Sequence, residues 1–295
     1  MKRFALLGPG TFSEEAARYL LDNGKESVEL VHHRLISDVF LSTVNGETDY
    51  SIIPVENTIE GSVSLHLDWL VHEVNLPIQA EWVFPITMNL IGFKEELPLL
   101  PGDSLDEKLR GMTTVASHPT ALAQCRQFLR AQMPQADLHE TGTTAEGAHF
   151  VKDNGPGKGY AAVGTKSAAR LHGLDILFEQ IQDHNNNFTR FVLVGAEPVH
   201  LDKPNEQKTS ILVTLPEDFP GALHQVLSAF AWRRINLIKI ESRPTKKMLG
   251  SYYFYIDIEA PMDSVLLPAA LAEIEALGCQ VRVMGSYPSY TYIGS

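Results

Sequence analysis

Cysteine is scarce in this chain. Cys125 and Cys279 are the only two among 295 residues, and they lie far apart. A disulfide framework and a paired-cysteine metal site are therefore excluded, and a reducing cytoplasm is the expected location. Long apolar runs are also missing. The opening "MKRFALLGPG" reaches a Gly-Pro-Gly turn after a short apolar run, too short for a secretory leader or a membrane span. Positive charge is in deficit, with 24 Lys and Arg against 36 Asp and Glu and a formal net charge of −12. Bulk attraction to nucleic acid or to an anionic membrane is excluded as a mode of action. An anionic ligand would have to be drawn in by local groups. The eleven histidines form no HExxH and no serine sits in GxSxG, so neither a zinc protease site nor a hydrolase elbow is indicated. No metal or other cofactor is expected.

What is present is ordinary globular composition, 44% hydrophobic and 20% charged, over a length that suggests two domains or one divided domain with an appendage. Strand-like and helix-like stretches alternate. "RFALLG" reads as a strand, and "GPGTFSEEAARYLLDNG" as turn and helix with a Thr11/Glu14 capping box and Gly24 as stop. "SVELVHH" is a second strand. "SDVFLSTVNG" is a short helix capped by Ser37, and "DYSIIPVEN" a strand that breaks at Pro54. "PIQAEWVFPITMNLIGF" supplies two more strands. "TTVASHPTALAQCRQFLRAQM" is strand, loop and helix with Pro119 in the first turn, and Thr143 with Glu146 opens a further helix. This alternation predicts a largely parallel α/β sheet. "AEPVHLDKPNEQK" is polar and proline-bearing, and reads as a linker. The eighty or so residues after it read βαββαβ, a small ferredoxin-like module.

Four polar stretches invite a chemical reading. "GPGTFS" lacks the third glycine of a dinucleotide fingerprint, since Ser13 stands there. It is better read as a helix start at which Thr11, Ser13 and free N–H groups hold a small anion, or as a plain turn and cap. "PVENTIEGSV" places Glu56, Asn57, Thr58 and Glu60 at the carboxyl end of a strand, where ligands sit in open α/β sheets; a solvated turn would explain them equally. "SHPTALAQC" puts Ser117 and His118 at a helix start, as caps or as aids to proton transfer, with Cys125 in the core. "NNNFTRFVLVG" sets Thr189 and Arg190 between Phe188 and Phe191, just where the chain enters a buried strand.

Taken in order, "GPGTFSEEAA", "IPVENTIEGSV", "SHPTALAQC" and "NNNFTRF" resemble the prephenate dehydratase family, and "GALH" with "ESRP" in the tail resemble its ACT regulatory domain. The resemblance covers about residues 1–285. No helical domain stands in front, so the monofunctional form rather than a chorismate mutase fusion is expected. The family commonly has Ser where Thr58 stands, Gln where Thr120 stands, and Ala-Ser where Gly164-Thr165 stand.

The resemblance implies a catalytic domain over residues 1–195 with a type II periplasmic-binding fold. One lobe covers about 1–78 with 178–200, and the other about 79–177. A linker over 196–207 and an ACT domain over 208–287 follow. It implies decarboxylating dehydration of prephenate to phenylpyruvate without a cofactor. Thr189 would stand at the leaving hydroxyl and Arg190 on a substrate carboxylate, both facing the cleft near the hinge. Thr11, Ser13, Glu56, Asn57, Thr58, Ser117, His118 and Phe191 would complete the substrate site. Gly221, Ala222, Leu223, His224, Asn236, Leu237, Glu241, Ser242, Arg243 and Pro244 would bind L-phenylalanine across a homodimer or homotetramer. Arogenate as substrate, and a non-catalytic sensor of a small acid, are the alternatives.

Overall fold

The computed structural model describes residues 1–21, 27–94, 109, 111–199, 201, 206–217, 219–246, 252–290 and 292. The expected helix stop at Gly24 lies outside them.

The chain opens with β1 (Lys2–Leu7), α1 (Phe12–Leu21), β2 (Val28–His33), α2 (Ile36–Val44) and β3 (Tyr50–Asn57). β1 pairs in parallel with β2 and with β3, as strand–helix alternation requires. β3 does not break at Pro54. It runs on to Asn57, and a register shift opposite Pro54 absorbs the proline's missing N–H. Ser37 does not cap α2 either: Leu35 occupies that position with no side-chain bond. After β4 (Gly61–Ser62) and α3 (Ser64–Asp68), β5 (Ile78–Pro85) returns to the first sheet beside β11 (Phe188–Val194). β11 lies between β5 and β3, antiparallel to both.

A second sheet, in the order β10-β6-β9-β7-β8, starts at Asn89 rather than at residue 79, because β5 stays in the first sheet. Its strands are β6 (Asn89–Gly92), β7 (Thr114–Ser117), β8 (Asp137–Glu140), β9 (Tyr160–Gly164) and β10 (Asp175–Phe178). Among the described residues four helices cover it: α4 (Pro119–Gln124), α5 (Arg126–Gln132), α6 (Thr144–Asn154) and α7 (Lys166–His172). The helix expected as one piece across Cys125 is two, parted at that residue. Thr143 accepts from the Glu146 N–H to cap α6, and Gly173, in the left-handed region, ends α7. The chain crosses between the sheets twice, after Pro85 and after Phe178. The Ile86 N–H donates to the Asn187 carbonyl and ties the crossings together.

The C-terminal part has the expected βαββαβ order: β12 (Glu206–Thr214), α8 (Ala222–Ala231), β13 (Leu237–Pro244), β14 (Tyr252–Ile258), α9 (Leu266–Ala276) and β15 (Gln280–Tyr290). β12 begins within the stretch read as linker. The two helices pack on one face, around Ile211, Val213, Phe230 and Ile274. The other face lies against the first sheet. Leu212, Tyr255, Met284 and Tyr287 share a core with Ile53, Val55, Val192 and Val194. β15 also pairs with β5, so among the described residues the two sheets run on as one of ten strands.

Candidate active site

β11 and β3 decide which polar groups meet. Their register sets Thr189 opposite Asn57 and Arg190 opposite Glu56. Side chains alternate across a strand, so each of these motifs is split between two faces. Thr189 shares a face with Phe191, which stacks on Trp82 at 5.6 Å. Arg190 shares the other face with Val192 and points at the C-terminal sheet.

On the Thr189 face, the Asn57 amide is the organiser. Its Oδ1 accepts from the backbone N–H groups of Ile59 (2.9 Å) and Glu60 (3.1 Å). A backbone N–H can only donate, so this turn fixes which end of the amide is oxygen. Nδ2 therefore faces Thr189 Oγ1 at 3.0 Å and Asn187 Oδ1 at 2.8 Å. The direction then propagates. Asn187 Nδ2 donates to Gln124 Oε1 (2.8 Å), and Gln124 Nε2 donates to the Glu60 carboxylate (3.0 Å). The ring begins and ends on the Asn57–Glu60 turn and passes through α4 of the second sheet, spanning the hinge.

Its chemical product is a polarised hydroxyl. Thr189 Oγ1 accepts from Asn57, and no acceptor for its own proton stands among the described residues. The proton is left to donate. Thr58 locks the same corner, donating to the Asn186 carbonyl (2.8 Å) and accepting from the Phe188 N–H (2.9 Å). Gln124 and Asn187 escaped the sequence reading. Asn187 lay within the quoted motif, and Gln124 is six residues beyond His118, with no signal of its own beyond being an amide on a buried helix face.

Of the remaining expected residues, Thr11, Ser117 and His118 are already engaged. Thr11 does not cap α1. Its hydroxyl turns back to the Leu7 and Gly8 carbonyls, while Glu14 takes the Gly10 N–H at 2.7 Å. The start of α1 thus holds its own carboxylate. Burial pushes the Glu14 pKa up, but the Gly10 N–H, Arg18 and His32 outweigh it and leave it below the usual range. Ser13 is buried, and its hydroxyl makes no hydrogen bond among the described residues. Ser117 is fully buried and donates to the Val163 carbonyl at 2.7 Å. His118, not Ser117, caps α4: its Nδ1 accepts from the Thr120 N–H, so in the neutral ring Nε2 carries the proton. Cys125 is core, and burial followed by Asp183 raises its thiol to about 12. No side-chain hydrogen bond joins Thr11, Ser13, Ser117 or His118 to Thr189 among the described residues.

On the other face, the structure corrects the placement of Arg190 and Glu56. Arg190 Nε lies 2.8 Å from Glu81, and Nη1 lies 2.6 Å from Asp257 and 3.2 Å from Glu56. Asp257 belongs to β14. Lys208 reaches Glu81 at 2.6 Å, and Lys239 bridges Glu56 (3.2 Å) and Glu241 (3.3 Å). Ser210, Tyr255 and Tyr287 close hydrogen bonds around Asp257. Burial opposes the Arg190 charge, but Asp257 and then Glu81 overcome it and raise its pKa well above the arginine range. The guanidinium is a permanent cation with its partners already in place, turned away from Thr189.

In the C-terminal sheet, Gly221 takes a left-handed conformation before α8, and Ala222 is buried while His224 is exposed. Asn236 bonds to Glu259 at 2.6 Å. Glu241 and Arg243 face the catalytic side: Arg243 pairs with Asp68 at 2.6 Å, and Glu241 meets Ser62. Ser242 and Pro244 are exposed. β14 is antiparallel to both β12 and β13, so those two run parallel. The Gly221–His224 turn and the Asn236-Leu237 corner therefore lie at opposite ends of one module.

An α/β body of two sheets joined by paired crossings, with a ferredoxin-like module docked on one sheet, defines the class. A family model described as "Prephenate dehydratase" matches residues 4–199, and one described as "ACT domain" matches residues 209–278. Prephenate dehydratase of Bacillus subtilis (strain 168) is 40% identical over 291 residues, 96% of this chain and 98% of that protein. A prephenate dehydratase from Arthrobacter aurescens, solved in complex with L-Phe, superposes with a TM-score of 0.81 at 32% identity, covering 97% of this chain and 89% of that one. GqqA, described as a novel type of quorum quenching acylase, has a TM-score of 0.77 at 25% identity, covering 98% of each chain. This chain belongs to the prephenate dehydratase family and carries an ACT domain. The GqqA fold is also similar, so the reaction has to be argued from side chains.

Proposed function

We propose that this chain dehydrates prephenate to phenylpyruvate, carbon dioxide and water, and that L-phenylalanine regulates it through the ACT domain. One observation carries the reaction: a Thr189 hydroxyl that accepts from an orientation-locked Asn57 and, among the described residues, has its own proton uncommitted. In the reaction the ring carbon–carboxyl bond breaks, its electron pair enters the ring, and the ring C–OH bond breaks as the oxygen gains a proton. Aromatisation drives the sequence, and departure of hydroxide is the step that needs help. Thr189 is a weak acid, so it serves as a donor to the departing oxygen, with solvent as the final proton source.

Arg190 and Glu56 leave the proposed substrate shell. Thr11 and Ser117 would have to give up carbonyl bonds before donating to a carboxylate. Ser13 and the His118 Nε2–H are the donors we assign to substrate, with Asn57 and Thr58 as framing groups and Phe191 as packing behind Thr189. We keep the domain division near residues 1–195 and 208–287, with the second lobe starting at the crossing after Pro85. For the effector, Gly221, Ala222, Leu223 and His224 with Ser242 and Pro244 of one chain, and Asn236 and Leu237 of another, would enclose one phenylalanine. The parallel course of β12 and β13 supports a site completed by two chains, in a homodimer or homotetramer. Both cysteines are buried and unpaired, which suits a reducing compartment.

The test is turnover of prephenate and of arogenate, each with and without phenylalanine. Thr189→Ala should lower kcat for prephenate by about 10²–10³ with the fold intact, the loss expected for a group acting on the leaving atom. Wild-type turnover of arogenate alone would change the substrate. Binding of prephenate with no turnover would leave a sensor.

A further inference from the structure

The Arg190 side chain is built into the wrong face of β11 for a substrate ligand, yet its backbone is continuous with Thr189. Three of its contacts are carboxylates, and one of them, Asp257, belongs to the ACT sheet. Asp257 and Glu81 are fully buried, so these partners cannot be exchanged for water without moving the sheet. The cluster has a second arm. Glu56, the residue next to Asn57, pairs with Lys239 of β13, and Lys239 pairs in turn with Glu241. Both strands that present the Thr189–Asn57 pair are thus anchored, one residue away, to the ACT sheet: β11 by Arg190 on Asp257, and β3 by Glu56 on Lys239. The two anchors meet at Glu56, which also contacts Arg190.

We propose that Arg190 is a positioning residue rather than a substrate ligand, and that the Arg190–Asp257 and Glu56–Lys239 pairs are the joint through which the ACT sheet sets the distance between Thr189 and Asn57. Displacing β13 or β14 pulls on two adjacent strands at the residues flanking the hydrogen bond that orients the hydroxyl. A shift of a few tenths of an ångström in that bond changes how the Thr189 proton is presented, without any ACT residue entering the cleft. The inference rests on the reading of Thr189 given above.

Two measurements test it. In the first, Arg190→Gln is compared with wild type in prephenate turnover. A positioning role lowers kcat with KM held within about threefold, whereas a carboxylate ligand raises KM by about tenfold or more; the second result overturns the assignment. In the second, Asp257→Asn and Lys239→Met are assayed with and without phenylalanine, and phenylalanine binding is measured by calorimetry. Phenylalanine should still bind within about threefold of wild type, while its effect on kcat/KM shrinks to within about twofold of unity. Asp257→Glu and Lys239→Arg, which keep the charges, should restore part of the effect. A merely structural role would lower the melting temperature and leave the phenylalanine effect intact, and that outcome sinks the joint. Lys239 keeps 10% exposure where Asp257 has none, so its Met variant carries the test if Asp257→Asn does not fold. Hydrogen exchange over residues 188–194 supplies a readout independent of turnover. It should respond to phenylalanine in wild type and not in the two variants. A wild type that shows this response but no prephenate turnover would overturn the reaction while keeping the joint. A wild type with turnover but no exchange response would overturn the joint.

Discussion

At the scale of single residues, the site depends on the direction of hydrogen bonds more than on proximity. Asn57 can orient Thr189 only because two backbone N–H groups hold its oxygen end. Asn57→Asp keeps both of those bonds and removes the donor to Thr189, so the threonine proton turns inward to the new carboxylate. We expect kcat to fall by about 10²–10³ while the Asx turn survives, because general-acid assistance of that order is what the lost orientation supplied. Steady-state kinetics beside circular dichroism checks it; near-wild-type kcat would show that Asn57 has no part in orienting the hydroxyl. Thr189, Asn57 and Thr58 were legible as polar residues at strand ends. The separation of Arg190 from Thr189 follows from alternation: neighbours on a strand face opposite ways, and these two are neighbours. Which of the two faced the cleft was not written in the motif, because both faces of β11 are buried.

At the scale of elements, close packing holds the second sheet in place behind the site. α6 crosses β7 at Gly147, where an added Cβ would lie 2.8 Å from the Ala116 carbonyl oxygen and 3.0 Å from Ser117 Cα. Both obstacles are backbone, so the helix would have to lift. Gly147→Ala should cost about 1–3 kcal/mol despite alanine's better helix propensity, since overpacking outweighs the propensity gain. Urea unfolding measures it, and a stabilised variant would show that the helix shifts freely. Helix α6 and its cap were readable from Thr143 and Glu146. The Thr11/Glu14 capping box was not as it looked. The spacing is right, but the Gly10 N–H lies nearer to Glu14 and the Thr11 hydroxyl finds two carbonyls in its own turn.

At the scale of the whole molecule, partly buried histidines link stability to pH. His32, His66, His72 and His172 are all held below the ordinary histidine value, chiefly by burial. His66 on α3 meets the Pro54 carbonyl with Nδ1 at 2.7 Å, which favours the protonated ring but does not offset burial. With folded pKa values depressed, the unfolded chain takes up protons that the folded chain refuses. Their contribution is complete above pH about 6.5, the unfolded value, and is lost as pH falls through the folded values. Unfolding free energy measured from pH 8 down to 5 should therefore decline below 6.5, and His66→Gln should flatten part of that slope. A slope unchanged in His66→Gln would remove His66 from the account.

The sequence by itself determined the order of strands and helices, the βαββαβ tail and the polar corners where strands end. These follow from local periodicity, turn chemistry and caps, which each segment carries within itself. Tertiary structure alone decided that β5 returns to the first sheet, that Gln124 of α4 closes a ring on the Asn57 turn, and that Arg190 pairs with Asp257 of the ACT sheet. Those outcomes rest on strand register and on which face of a buried strand meets which partner, and such pairings join residues that are far apart along the chain.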